Sequence, residues 1–202
     1  MSTFPATPAP ATLKISSIQP TLVSTAHSLQ RQVRSRGGHR WLLSVTWPVL
    51  SRADWAQLYG FAQAQRGQFN PFTYVLPGSL ASAAGIGAGA MPVVNGGSQS
   101  GRVVFTRNWG TSAWTTGILK AGDFIKFAGH NKVYMVTEDA TADNTGHANV
   151  SIEPALFVAP ADGESLIVSQ VPFTMAFASD TRESDVVPGP YFSFQADMVE
   201  VP

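Results

Sequence analysis

Residues 41–67 read WLLSVTWPVLSRADWAQLYGFAQAQRG, and a change of period inside this stretch sets the fold class. Trp41, Leu43, Val45 and Trp47 alternate with Leu42, Ser44 and Thr46, the two-residue period of a strand with one face in a core. Pro48 has no N–H to give to a ladder and ends the strand. The period then becomes helical. Ser51 stands where its hydroxyl can accept from the third helical N–H, Asp54 holds that third position, and Trp55, Leu58, Tyr59 and Ala62 fall on one helical face. A helix is expected over 52–66, stopped by Gly67. Phe72, Tyr74 and Leu76 resume the alternation until Pro77-Gly78.

The rest of the chain reads as strand. The closing segments FTMAFASD and YFSFQADMVEV alternate again, with Phe192, Phe194, Ala196 and Met198 on one face. Between them and the opening strands lies a small-residue tract, 78–101, whose composition fits a flexible linker or an exposed loop. Short strands follow at GRVVFTRNW, DFIKFAG, KVYMVTE, ANVSIEP and SLIVSQ, separated by turns such as Gly129-His130-Asn131 and Asp143-Asn144-Thr145-Gly146. Short, turn-separated strands are the pattern of a small barrel or sandwich. The expectation is a mainly β chain: a β-sandwich domain with one helix from 1–78 and 171–202, and an inserted small β unit over 79–170 with a flexible Gly/Ala/Ser-rich lead-in.

Composition bounds what the chain does. A 202-residue chain buries about 70% of its unfolded surface, so its core needs no metal or disulfide. Thirteen Lys and Arg against thirteen Asp and Glu leave no net charge, and hence no global field to draw in polyanions or anionic membranes. The opening MSTFPATPAPATLK lacks a basic stretch followed by an apolar run, so no signal peptide is expected, and no window is long and apolar enough for a membrane span. With no cysteine, thiolate metal sites and a cysteine nucleophile are excluded. Charged residues are 13% of the chain, well under the roughly one quarter usual in soluble domains, as expected of a surface that meets other protein.

No constellation asks for catalysis, a cofactor or a metal. His27, His39, His130 and His147 are scattered among turns, without the spacing that sets two imidazoles toward one ion. Asp139, Thr141 and Asp143 imitate a calcium loop, but position 150 is Val where the closing Glu belongs, so a hairpin loop rich in Asx turns is the better reading. Neither GxSxG nor SxxK occurs. GIGAGA at 85–90 follows no strand and opens no amphipathic helix, which leaves it a poor dinucleotide fingerprint. Asp180, Glu183 and Asp185 beside Arg182 read as a solvated acidic turn. Two clusters remain. Arg31, Arg34, Arg36 and Arg40 surround Gly37-Gly38, a hairpin or bulged corner with guanidinium forks outward. They are too few for a nucleic-acid groove and suit a protein interface, with a local phosphate contact as the lesser reading. Trp109 and Trp114, in RNWGTSAWTTG, lie in a loop where a sugar could stack, whereas Trp41, Trp47 and Trp55 hold core spacings.

The succession Arg36-Gly37-Gly38-His39-Arg40-Trp41, the tryptophan strand, the helix DWAQLYGFAQAQRG, then NPFTYVLP resembles phage distal tail proteins, the tail-tip proteins of long-tailed phages and gene transfer agents. The terminal YFSFQADMVEV is similar to that family's last strand. Residues 120–156 look like a β module that recurs in phage structural proteins, with Gly122-Asp123, Tyr134-Met135-Val136, Gly146 and Pro154 as landmarks. The resemblance implies a structural virion protein at the tail tip, assembled in the host cytoplasm, with no enzyme activity. It further implies a homo-oligomeric ring, usually a hexamer, between the tail tube protein and the tail-tip hub proteins, with some members carrying an added small barrel. The alternative is a carbohydrate- or host-surface-binding β module of a tail.

Overall fold

The structure, a computed structural model of the chain, describes residues 1–78, 90–110, 114–187 and 191–202. It is mainly β, with 42% strand and one helix among these residues. The chain divides into two compact units, Met1–Thr73 with Met175–Val201, and Tyr74–Thr174.

The first unit opens with β1 (Ser2–Thr3), β2 (Thr12–Ile18), β3 (Thr21–Thr25), β4 (Arg31–Ser35), β5 (Arg40–Thr46), α1 (Arg52–Ala64) and β6 (Phe72–Val75). The second contains β7 (Val93–Val94), β8 (Val103–Arg107), β9 (Thr115–Leu119), β10 (Phe124–Phe127), β11 (Val133–Val136), β12 (Ala140–Ala142), β13 (Ala148–Glu153) and β14 (Leu166–Ile167). The chain returns through β15 (Pro172–Phe177), β16 (Val186–Val187), β17 (Tyr191–Phe192) and β18 (Gln195–Glu200).

In the first unit a six-stranded sheet runs β1-β6-β15-β18-β5-β2. Trp41, Leu43 and Val45 of β5 are buried with Trp47 just beyond it, as their alternation predicts, and Ala196 and Met198 of β18 join them. Phe4, Phe61 and Phe72 pack edge to face or tilted at 5.0–5.8 Å between centroids, and Trp47 lies 5.2 Å from Phe194. Aromatic pairs in these geometries add to what area burial alone supplies.

Helix α1 begins as the sequence dictates: Ser51 Oγ accepts from Asp54 N at 3.3 Å and donates to Asp54 Oδ2 at 2.7 Å. Its inner face buries Leu58 and Ala62 completely. Trp55 is only half-buried, stacked between Tyr59 at 4.9 Å and Phe192 at 4.6 Å, with Nε1 donating to Ser184 Oγ at 2.7 Å. The helix ends at Ala64, two residues short of the expected 66, because Arg66 already has a φ of 55°. Gly67 follows at φ 67°, and a Cβ there would stand 2.6 Å from Asp180 Oδ1. Only glycine satisfies both constraints.

The second unit is a nearly closed barrel. From β14 the ladder passes through β10, β11, β13, β8 and β7, and a Val93–Ser165 bridge brings β7 back to the chain entering β14. Closure removes exposed edges. β12 and β9 extend from β13. The core collects Val104, Trp109, Ile118, Leu119, Ile125, Phe127, Tyr134 and Val150, all at most 2% exposed. Part of the small-residue tract belongs here. Val94 is fully buried, Gly96 N donates to Asp162 Oδ1 at 2.8 Å, and the Gln99 amide bonds Asn95, Gly96 and Phe105 carbonyls. The linker reading of 78–101 is therefore wrong for 90–101; 79–89, with most of GIGAGA, lie outside the described residues.

Candidate assembly surface

Two of the four arginines, Arg31 and Arg34, are placed by a two-stranded ribbon. β3 pairs antiparallel with β4 in a register that sets Thr25 opposite Arg31, Val23 opposite Val33 and Leu22 opposite Arg34. All ten strand residues are exposed, including Leu22, Val23 and Val33, each more than half accessible. The hairpin turn falls at 26–30, where Ala26 N donates to Gln30 O at 3.0 Å. Gly37 and Gly38, at φ 70° and 73°, form instead the corner that leads into β5. At that corner His39 turns inward, its Nε2 2.9 Å from Ser17 Oγ and its ring edge-on to Trp41, while Arg36 and Arg40 stay outside. Arg31, Arg34, Arg36 and Arg40 are all exposed, and among the described residues none pairs with a carboxylate.

A cleft of about 410 Å³ lies in the same unit, lined by the 179–185 segment, 193–197 and Thr46. Glu183, Asp185 and Asp197 are exposed around it. Arg182 is its one basic group: the guanidinium carbon sits 3.9 Å over the Phe177 ring and Nη1 donates to Thr181 O at 2.7 Å. Its Nε and Nη2 are buried without a hydrogen-bond partner. Burial lowers the Arg182 pKa, and Asp180 and Asp197 hold it up against that effect. The segment expected to be a solvated acidic turn is thus one wall of a cleft.

The two loop tryptophans have opposite fates. Trp114 is 72% exposed, but Trp109 is fully buried. Trp109 Nε1 donates to Thr106 Oγ1 at 2.8 Å, and Thr106 Oγ1 donates onward to Ala148 O at 2.8 Å. No sugar can reach Trp109, so the expectation of a surface platform is corrected there.

The second unit's polar clusters are structural. Asp143 Oδ1 accepts from Thr145 N, Thr145 Oγ1 and His147 N, an Asx turn closing the β12–β13 hairpin. The His147 N–H and the Thr145 hydroxyl hold the Asp143 carboxyl below its usual range. His130 stands between Tyr134 Oη at 3.2 Å and Glu164 at 3.9 Å. Burial lowers its pKa, Glu164 opposing and Lys126 reinforcing that shift. Among the described residues no three His, Cys, Asp or Glu converge as a metal site, and no helix is long and apolar enough to cross a membrane.

Residues 84–171, all within the second unit, match the family model described as distal tail protein pb9, B domain. The barrel unit is similar to the B domain of a siphophage distal tail protein. This agrees with the resemblance carried by the sequence landmarks, and it supports a structural role in a phage tail, as a virion component with tail proteins as its class of partner. No curated protein matches the chain.

Proposed function

We propose that this distal tail protein forms a homo-oligomeric ring, a hexamer, at the tail tip, joining the tail tube protein to the baseplate or receptor-binding apparatus. It is assembled in the host cytoplasm and carries no enzyme activity and no cofactor. The observation that carries this reading is the β3–β4 ribbon. An isolated two-stranded ribbon is marginal in water, yet this one exposes both faces, three aliphatic side chains and Arg31 and Arg34, with Arg36 and Arg40 exposed at the corner beside it. Such a surface is stabilised by covering it with protein, and arginine is favoured in protein interfaces. β2 supports the same reading, because it is a seven-residue edge strand of the sheet, able to accept a neighbouring strand.

We also propose that 79–170 is an insertion in the ring-forming domain, because the strands through which the chain leaves and returns, β6 and β15, are neighbours in one sheet. The exposed Trp114 favours a second reading, in which the inserted unit binds a carbohydrate or host surface. Labelling this chain in intact virions tests the ring reading. A band of label at the tail tip, several copies per particle, is expected, and one copy per tail or label elsewhere would overturn it.

A further inference from the structure

The barrel has an outward sheet surface with an aromatic ring at each side. Val104, Ala142, Ala148 and Val150 turn into the core, so the residues that alternate with them on β8, β12 and β13 point outward. The register sets four outward residues in a row across four strands. Thr116 on β9 faces Thr141 on β12, Thr141 and Asn149 are the next residues out from the Ala142–Ala148 pair, and Asn149 on β13 faces Phe105 on β8. Thr116, Asn149 and Phe105 are exposed and Thr141 is half-buried. Trp114, two residues before Thr116, continues the same face by strand alternation and is 72% exposed. From β9 to β8 the row crosses three strand spacings, about 14 Å.

We infer that this face binds a neutral oligosaccharide, with Phe105 and Trp114 as its two stacking platforms. This rests on the carbohydrate reading of the inserted unit and names its site. A flat aromatic ring suits the apolar C–H face of a sugar. Between the rings, the Thr116 and Thr141 hydroxyls and the Asn149 amide each donate and accept, as sugar hydroxyls require. The platforms stand too far apart for one sugar ring to touch both, so the ligand is a chain of sugars. Phe105 is held in place from its own backbone: its N–H donates to Gln99 Oε1 at 2.8 Å, and its carbonyl accepts from Gln99 Nε2 at 3.1 Å. A platform on a fixed strand costs little ordering on binding. The charges beside the face are taken up in pairs, Arg107 with Asp162 at 3.1 Å and Arg102 with Glu153 at 2.7 Å. A single-stranded nucleic acid, which needs a basic groove beside its aromatic platforms, therefore finds no such groove here.

The fluorescently labelled full chain is tested on an array of immobilised bacterial surface polysaccharides of capsular, O-antigen and cell-wall types. Phe105→Ala and Trp114→Ala change exposed side chains, and circular dichroism checks each fold. The parent should bind at least one neutral polysaccharide, equally well at about 50 mM and about 500 mM salt. Each variant alone should weaken that binding about tenfold, the equivalent of about 1.4 kcal/mol, and the double variant should lose it. Binding that both variants leave intact would keep the carbohydrate reading and overturn this face. Loss in one variant alone would overturn the pair of platforms. Binding only to charged polysaccharides, and weakened by salt, would overturn the neutral ligand. No binding to any spot would remove the carbohydrate reading together with this face. If the variants then lowered the mass of the parental oligomer, the face would be a protein contact instead.

Discussion

Replacing Trp109 and Trp114 separately with alanine sets a buried indole against an exposed one five residues away. Trp109 is fully buried in the barrel core, and its N–H completes a chain through Thr106 Oγ1 to Ala148 O. Removing it loses the transfer free energy of the ring and leaves a cavity, together about 3–5 kcal/mol. Thr106, itself 1% exposed, loses its indole donor, which places the expected cost in the upper part of that range. Trp114 is 72% exposed, and its replacement should change stability by less than about 0.5 kcal/mol. Urea titration followed by far-ultraviolet circular dichroism reads both without depending on tryptophan emission. A loss below about 1 kcal/mol for Trp109→Ala, or above about 1 kcal/mol for Trp114→Ala, would refute this division of roles.

Leu58→Ala, at a fully buried position on α1, should cost about 2–5 kcal/mol in the same titration, and a change under about 0.5 kcal/mol would show that this face is not in a core. Burial pushes the Tyr74 phenol up to about 12 from 10.0. Its stabilisation is therefore complete below pH 10 and is lost as pH rises toward 12, so raising pH from about 9 to about 11 should remove about 1.4 kcal/mol. Tyr74→Phe should abolish that part of the alkaline slope, and an unchanged slope would contradict it. Replacing 79–170 with a short Gly-Ser bridge should leave a cooperatively unfolding, ring-forming remainder, since loop closure costs grow slowly with length. An insoluble or molten product would show that the insertion reading is wrong.

What the sequence made legible follows from how each strand is buried. β5 has one face in the core and one outside, so Trp41, Leu43 and Val45 announce themselves by alternation. The start of α1 is written in Ser51 and Asp54, whose bonds are local. β15 is buried on nearly every residue, so the one-sided burial that alternation in FTMAFASD implies is not what the strand has. The ribbon is hidden for the opposite reason: TLVST and RQVRS bury neither face, and neither shows an apolar stripe. β9 and β12 are short, and Gly117 at φ 69° interrupts the first. The burial of Trp109 is hidden because the residues around it signal a turn, which forms at Asn108 with φ 68°, and carry no mark of the tertiary contact. The Trp109 backbone N–H donates to Gly146 O at 3.3 Å and its ring enters the barrel. The cleft joins residues from β5, the 179–185 segment and β18, which only the sheet register brings together.

The central claim is a closed ring, and the mass of the full chain in solution tests it most directly. Light scattering across a wide concentration range should find a species of six 21.5-kDa chains, about 129 kDa, that neither grows nor shrinks over the upper part of that range. A mass of 21.5 kDa at every concentration, or one that rises without limit as an open filament would, contradicts it.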